Sequence, residues 1–298
     1  MTKLIELLVN GVSLGMLYAL ISVGFVVVFR STDVINFAQG STLLGGGYVI
    51  ARLSPHIGFW LAALAGVAAT AAFAMLVDRL LIRPLRQRGA RHDVAAIVTI
   101  GLDIVLLTDL TRRIGSDMLH LGDPWGNAVV NIGPVTVAQT RVAAMATALV
   151  LIGLFGLAFQ RTGWGVAMRA TAEDTEAAML SGVRHNRVTL SAWAIAGALA
   201  AVASVFLTAS PSPGMDAATG QTALKAFPAA VVGGLDSMTG ALVGGVIMGL
   251  AESLASGYQG QLTFLGQGFG SVMPWVVMLL VLLVKPSGLF GTKAAARV

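Results

Sequence analysis

The sequence predicts an all-α polytopic membrane protein with about eight transmembrane helices plus re-entrant or broken segments, folded as one domain over its 298 residues. Three observations predict it. The chain is 56% hydrophobic and only 11% charged, with a mean hydropathy of +0.83, whereas ordinary soluble domains carry roughly 25% charged residues. Apolar stretches close to the ~20 residues needed to cross a bilayer as a helix recur along its whole length. Finally, the polar, charged stretch 166–187, VAMRATAEDTEAAMLSGVRHNR, lies between two such stretches, 142–159 and 188–209. A soluble fold has no reason to strand a short charged helix there.

The apolar stretches fall near 7–29, 34–51, 57–82, 94–111, 142–160, 188–209, 221–234, 238–256 and 271–284. The first follows only Lys3 and Glu6 and has no convincing small-residue cleavage site after it, so it reads as a retained span. Segment 34–51 contains Gly45-Gly46-Gly47, and 221–234 is interrupted by Pro228 and the Gly233-Gly234 pair. Broken backbone is tolerated at membrane depth only where protein or a cavity surrounds it. The 36 glycines suit close helix packing, and Gly11/Gly15, Gly240/Gly244 and Gly245/Gly249 are small-residue pairs four apart, read as contacts within the chain. Stretch 112–140, punctuated by Gly, Pro, Asn and Asp, reads as a long outer loop with short strands or turns. It is either a docking surface or a connector.

Basic residues set the orientation. Placing the N-terminus, the loop 78–93, the charged island and the tail from Lys285 inside collects thirteen Lys and Arg there, against six on the other side (Arg30, Arg52, Arg112, Arg113, Arg141, Lys225). With the N-terminus inside, 7–29 leaves and 57–82 must return. Segment 34–51 then cannot cross on its own and should be re-entrant. Both termini are expected in the cytoplasm.

Several classes are excluded or disfavoured. There is no cysteine, hence no disulfide and no thiolate nucleophile or ligand. The pI near 10.1 reflects loops on one membrane face rather than nucleic-acid binding. No G-x-x-x-x-G-K-[ST] loop occurs, so the chain does not itself hydrolyse ATP. His56, His92, His120 and His185 are scattered without ligand spacing, and neither a metal site nor an enzyme activity is expected.

Within the island, Thr171 can cap a helix over 171–181 whose first turn carries Glu173 and Asp174, as a positive helix N-terminus favours. Gly182 suits the left-handed position after its end. About eleven residues are marginal alone, so docking should hold the helix.

The tract Glu176-Ala177-Ala178, three residues, then Gly182 resembles the coupling motif of bacterial ABC importer permeases. The chain as a whole is similar to their branched-chain amino-acid subfamily. The resemblance runs through Asn10-Gly11-Val12-Ser13-Leu14-Gly15-Met16-Leu17-Tyr18-Ala19-Leu20, Ile35-Asn36-Phe37-Ala38-Gln39-Gly40, Arg83-Pro84-Leu85-Arg86 and Ala172-Glu173-Asp174. It continues in Lys225-Ala226-Phe227, Val232-Gly233-Gly234-Leu235, Gly240-Ala241-Leu242-Val243-Gly244-Gly245 and Lys285-Pro286-Ser287-Gly288-Leu289. It implies the ABC importer permease fold and a place in the bacterial inner membrane. The implied partners are a homologous second permease, two ATPase subunits that bind ATP and Mg, and an external solute-binding protein. No cofactor is implied in this chain. Glu173, Asp174, Glu176, Ala177, Ala178 and Gly182 would be the ATPase-coupling residues. Gln39 stands where the family often has His, and Asp103 where relatives carry a small or apolar residue. The family spans branched-chain amino acids, urea, short amides and aromatic acids, so the substrate stays open among them.

For the substrate path, Asn36 and Gln39 share one face if helical. They line the path or bond neighbouring helices as glue. Lys225 and Phe227 precede the break at Pro228, where exposed backbone groups suit a polar solute. Asp103, about nine residues into its span, either bonds a neighbouring helix or lines the path; Asp109 and Glu252 read as solvated span ends. The competing class is an ion-coupled transporter with Asp103 or Glu252 on the ion, which needs no docking helix between spans.

Overall fold

The computed structural model describes residues 2–291, apart from 116–117, 123, 127, 133–134, 210–213, 217 and 262–267. Helix α1 (Thr2–Thr32) is followed by α2 (Gln39–Ile57) and α3 (Phe59–Val77). A π-helical turn (Asp78–Ile82) and α4 (Arg83–Gln87) continue α3, and α5 (His92–Ile114) follows. Strands β1 (Val129–Ile132) and β2 (Val135–Ala138) form an antiparallel hairpin with Val129 opposite Ala138. Then come α6 (Gln139–Arg161), α7 (Gly163–Glu173), α8 (Thr175–Leu180) and α9 (His185–Leu207). The chain closes with α10 (Thr219–Leu224), α11 (Ala226–Gly233), α12 (Met238–Gly257), a 3-10 turn and α13 (Phe269–Val284).

By length and composition, six of these helical segments can cross a membrane: Lys3–Thr32, Phe59–Gln87, His92–Ile114, Gln139–Arg161, His185–Leu207 and Met238–Gly257. The expected eight full crossings are therefore not given by helix lengths alone. Stretch 221–234 is split between α10 and α11 at Lys225, and α13 is a shorter apolar helix of 16 residues. The hairpin falls in the long loop 112–140, where short strands or turns were expected.

Helix α1 is the centre of the bundle, and the glycine pairs explain how. A Cβ built on Gly15 would lie 2.7 Å from Val246 Cα, and one on Gly245 would lie 2.5 Å from Ala19 N. So α1 and α12 touch backbone to backbone, with Gly11 and Gly249 in the same seam. Gly240 and Gly244 meet Gly233 and Ala229 of α11 instead. All three small-residue pairs make contacts within the chain. In lipid no water-driven force pulls helices together, so such close approach supplies the dispersion contacts that hold them. The largest core cluster, including Tyr18, Leu20, Phe25 and Met168, surrounds α1. By contrast α3, α5 and α6 present exposed apolar faces, such as Leu64, Ile97, Ile104 and Leu154.

The bundle has two ends. At one, the start of α9 is tied to the end of α3: Arg86 reaches His185, Asp78 and Thr189, and α7 and α8 lie there. At the other lie the hairpin, the start of α6 and the end of α12. Leu7 of α1 accepts a hydrogen bond from Ser253 Oγ at 2.7 Å at this hairpin end, whereas Arg30 stacks on Phe159 at the α8 end. The last described residues also lie at the α8 end, where Leu289 N donates to Val232 O and Phe290 N to Gly233 O. The described residues therefore start and finish at opposite ends of the bundle, not at the same end as the sequence suggested. Lys293 and Arg297 of the basic tail lie outside the described residues.

This corrects the reading of 34–51. After Thr32 the chain leaves the helix through a bend at Asp33, and Phe37 N donates to Thr99 Oγ1, two turns into α5. Helix α2 then begins inside the bundle and runs to the hairpin end, where Arg52 reaches Arg113 O. Gln39 Nε2 donates to Ala196 O, eleven residues into α9, or ~16 Å at 1.5 Å per residue. The segment dips in at one end and leaves at the other.

Candidate functional site

The charged island is two helices, not one over 171–181. Thr171 lies inside α7 and returns its hydroxyl to Ala167 O. The cap is Asp174: its Oδ1 accepts from Glu176 N at 2.9 Å and Ala177 N at 3.0 Å, satisfying the orphan amides at the start of α8. Both roles place an acid at a positive helix end. Asp174 wins because its extended backbone (φ −153°, ψ 107°) breaks the chain there. At the other end Gly182, with φ +87°, donates to Met179 O while Val183 N donates to Ala178 O. This pair of bonds is the Schellman closure that glycine makes without Cβ strain.

The closed loop aims its side chains unequally. Ala178 is 4% exposed and packs inward, so it is not a free contact surface. Glu173, Asp174, Glu176, Ala177 and Gly182 are exposed. Met179 is 49% and Leu180 90% exposed, so an apolar knob stands clear of the chain beside three carboxylates. Sequence reasoning missed this knob, although Met179-Leu180 sits inside the motif. It also missed the anchorage. Trp164 Nε1 donates to Ser191 Oγ at 2.7 Å, fixing α7 to α9, and Arg86 of the Arg83-Pro84-Leu85-Arg86 tract holds His185. Beside them Asp33, the one non-glycine with positive φ (54°) among the described residues, has its carboxyl pushed up by burial and pulled partly back by His92.

Of the residues expected along a substrate path, Asn36 and Gln39 are buried and bond each other, while Asp103, Lys225 and Phe227 are partly buried and each meets a residue outside that set. Asn36 is 3% and Gln39 1% exposed. Asn36 Nδ2 donates to Gln39 Oε1 at 3.3 Å, its Oδ1 accepts from Ala38 N, and Gln39 bonds α9. That is the glue arrangement. Asp103 Oδ1 accepts from Ser41 N at 3.3 Å, an amide in the first turn of α2 that would otherwise be unpaired within the bundle. An acid in mid-span is here a cap supplied by the neighbouring helix. Phe227 stacks with Phe25 and Phe37, at 5.7 and 5.4 Å between ring centres.

Lys225 and Glu252 meet, which the sequence did not suggest. Lys225 Nζ lies 2.7 Å from Glu252 Oε1, and Tyr18 Oη donates to Glu252 Oε2 at 2.6 Å. The side chains are 19% and 12% exposed, so Glu252 is a partly buried, paired charge at the edge of the hairpin-end cavity and not a freely solvated span end. Both acids that an ion-coupled transporter would need are thus already bonded within the chain. No cluster of three or more potential metal ligands occurs among the described residues.

Two cavities open beside α1, and neither is lined by Asn36, Gln39, Asp103, Lys225 or Phe227. One, of about 1050 Å³, lies at the α8 end among Arg30, Asp33, Arg169, Glu173 and Asp236. The other, of about 510 Å³, lies at the hairpin end between α1, α6, α9 and α12.

A lipid-length helical bundle with a short, closed, apolar-tipped helix on one end is the permease class of membrane transport protein. The family model of the branched-chain amino acid transport system permease component matches residues 7–283, and the chain belongs to that family. It is 33% identical to the high-affinity branched-chain amino acid transport system permease protein LivH of Salmonella typhimurium, over 97% of this chain and 96% of that one. It is 31% identical to the corresponding protein BraD of Pseudomonas aeruginosa, over 99% and 98% of the two chains. Identity to the probable branched-chain amino acid permease LivH of Methanocaldococcus jannaschii is 31%, over 92% and 89%. No solved structure matches. The chain is a non-enzymatic permease of an ABC importer, embedded in a membrane.

Proposed function

We propose that this chain forms one membrane-spanning half of an ATP-driven importer of branched-chain amino acids. The observation that carries the reading is α8, a capped helix held rigidly between α7 and α9, with Met179 and Leu180 exposed. An apolar knob that no described residue covers suits a groove of an ATPase subunit, and the adjacent carboxylates suit a basic rim. The α8 end carries Arg30, Arg79, Arg83, Arg86, Arg88, Arg91, Arg161, Arg169, Arg184, Arg187 and Lys285, which supports placing it in the cytoplasm. The start of α1 and the hairpin then face the external solute-binding protein. ATP and Mg belong to two ATPase subunits, and a homologous permease completes the pore. Urea, short amides and aromatic acids are the alternative cargoes of the same machinery.

The test is reconstitution of this chain with its homologue, the ATPase and the binding protein in liposomes. ATP-dependent uptake of L-leucine, L-isoleucine or L-valine is expected. Uptake driven by an ion gradient without ATP overturns the importer reading. A transport-competent assembly with two copies of this chain and no homologue overturns the mixed pair.

A further inference from the structure

The cavity at the hairpin end holds one buried polar group without a partner. Thr140, in the first turn of α6, lines it, is 2% exposed, and its hydroxyl has no hydrogen-bond partner among the described residues. Thr70 and Thr171, inside their helices, return the hydroxyl to the carbonyl four residues back. At Thr140 that carbonyl belongs to Thr136, in β2 and not in the helix, so the hydroxyl is left over. A buried hydroxyl without a partner is costly.

Arg141, next in the chain and also lining the cavity, is half-buried and makes no ion pair among the described residues. Both residues sit at the N-terminus of a 23-residue helix, where unpaired amides and the helix dipole add positive potential. These features converge on an anion. On α12, Glu252 supplies the one carboxylate of the lining, and Leu14, Leu17 and Phe206 supply an apolar wall. At ~30 Å³ per water, about 510 Å³ accommodates a small hydrated solute.

We propose that this cavity is a transit site for a small zwitterionic α-amino acid with an apolar side chain. The carboxylate accepts from Thr140 Oγ1 and Arg141, the ammonium shares Glu252, and the side chain lies against Leu14, Leu17 and Phe206. The ammonium competes with Lys225, which stands at the break between α10 and α11, so occupancy is felt at that break. The proposal rests on the importer reading and places a site within it.

The experiment uses the complete transporter in liposomes with L-leucine as probe. Thr140→Val removes the hydroxyl at nearly constant shape, and Thr140→Ser keeps it. Thr140→Val and Arg141→Gln are expected to lower maximal uptake about tenfold, the size expected for one lost bond to a charged group, with Thr140→Ser near the parent. Because the chain has no cysteine, Ser256→Cys in the same cavity gives a single thiol in it. L-leucine should slow labelling of that thiol several-fold, and Thr140→Val should remove the protection. Parental uptake and protection in Thr140→Val and Arg141→Gln overturn the site while leaving the importer reading intact. Equal loss in Thr140→Ser and Thr140→Val, with lower melting temperatures, marks a packing role and also overturns it. A parent assembly that takes up no amino acid overturns the importer reading beneath it.

Discussion

Leu180→Ala tests the docking of α8 with little risk to the fold. Leu180 is 90% exposed, so truncating it removes almost no contact within the chain and should leave the melting temperature unchanged. In an ATPase groove the same side chain is buried. Each buried CH₂ is worth ~0.8 kcal/mol, so the lost carbons amount to ~2–3 kcal/mol, or a ~30–100-fold weaker association. Leu180→Asp goes further, because the carboxylate must be desolvated without an assured partner. The assay is titration of the ATPase onto the detergent-solubilised permease pair, with substrate-stimulated ATP hydrolysis measured in parallel. Glu176→Ala is the contrast: an exposed ion pair is worth only ~0–1 kcal/mol, so hydrolysis should stay within a few-fold of the parent. Parental affinity and hydrolysis with Leu180→Asp would refute the docking of α8. Ala178→Trp is the poorer probe, since Ala178 is buried and its replacement disturbs the fold as well.

Breaking the Lys225–Glu252 pair from one side should be destabilising by ~1–3 kcal/mol, between an exposed pair and a fully buried one, because the pair is partly buried. Lys225→Met and Glu252→Gln should each lower the melting temperature in detergent, and the double variant should recover part of the loss; strictly additive losses would show that the pair does not interact. Gly245→Val should separate α1 from α12, because even a Cβ there lies 2.5 Å from Ala19 N and the clash is with backbone. A cost of at least ~1–3 kcal/mol is expected, read as lower folded yield and melting temperature, and an unchanged melting curve would contradict the seam.

The sequence by itself determined the class, the position of the charged island, the Gly182 turn and the small-residue seams, because each depends on local composition or on spacing within one helix. Hydropathy reads burial in lipid, and a four-residue glycine repeat reads a helix face, wherever the partner lies. It did not determine which end of the bundle holds the start of the chain. Moving Lys3 to the hairpin end and Arg30 to the α8 end leaves the count of basic residues on each side unaltered, so charge counting cannot tell the two apart. Only the contacts of Leu7 with Ser253 and of Arg30 with Phe159 decide it. Once they do, 39–57 can run to the hairpin end. Polar side chains at depth were visible as anomalies, but their meaning was not. Asp103 bonds an amide 62 residues away, and Tyr18 bonds Glu252 across 234 residues. A buried polar group is explained by its partner, and the partner is a property of the tertiary fold.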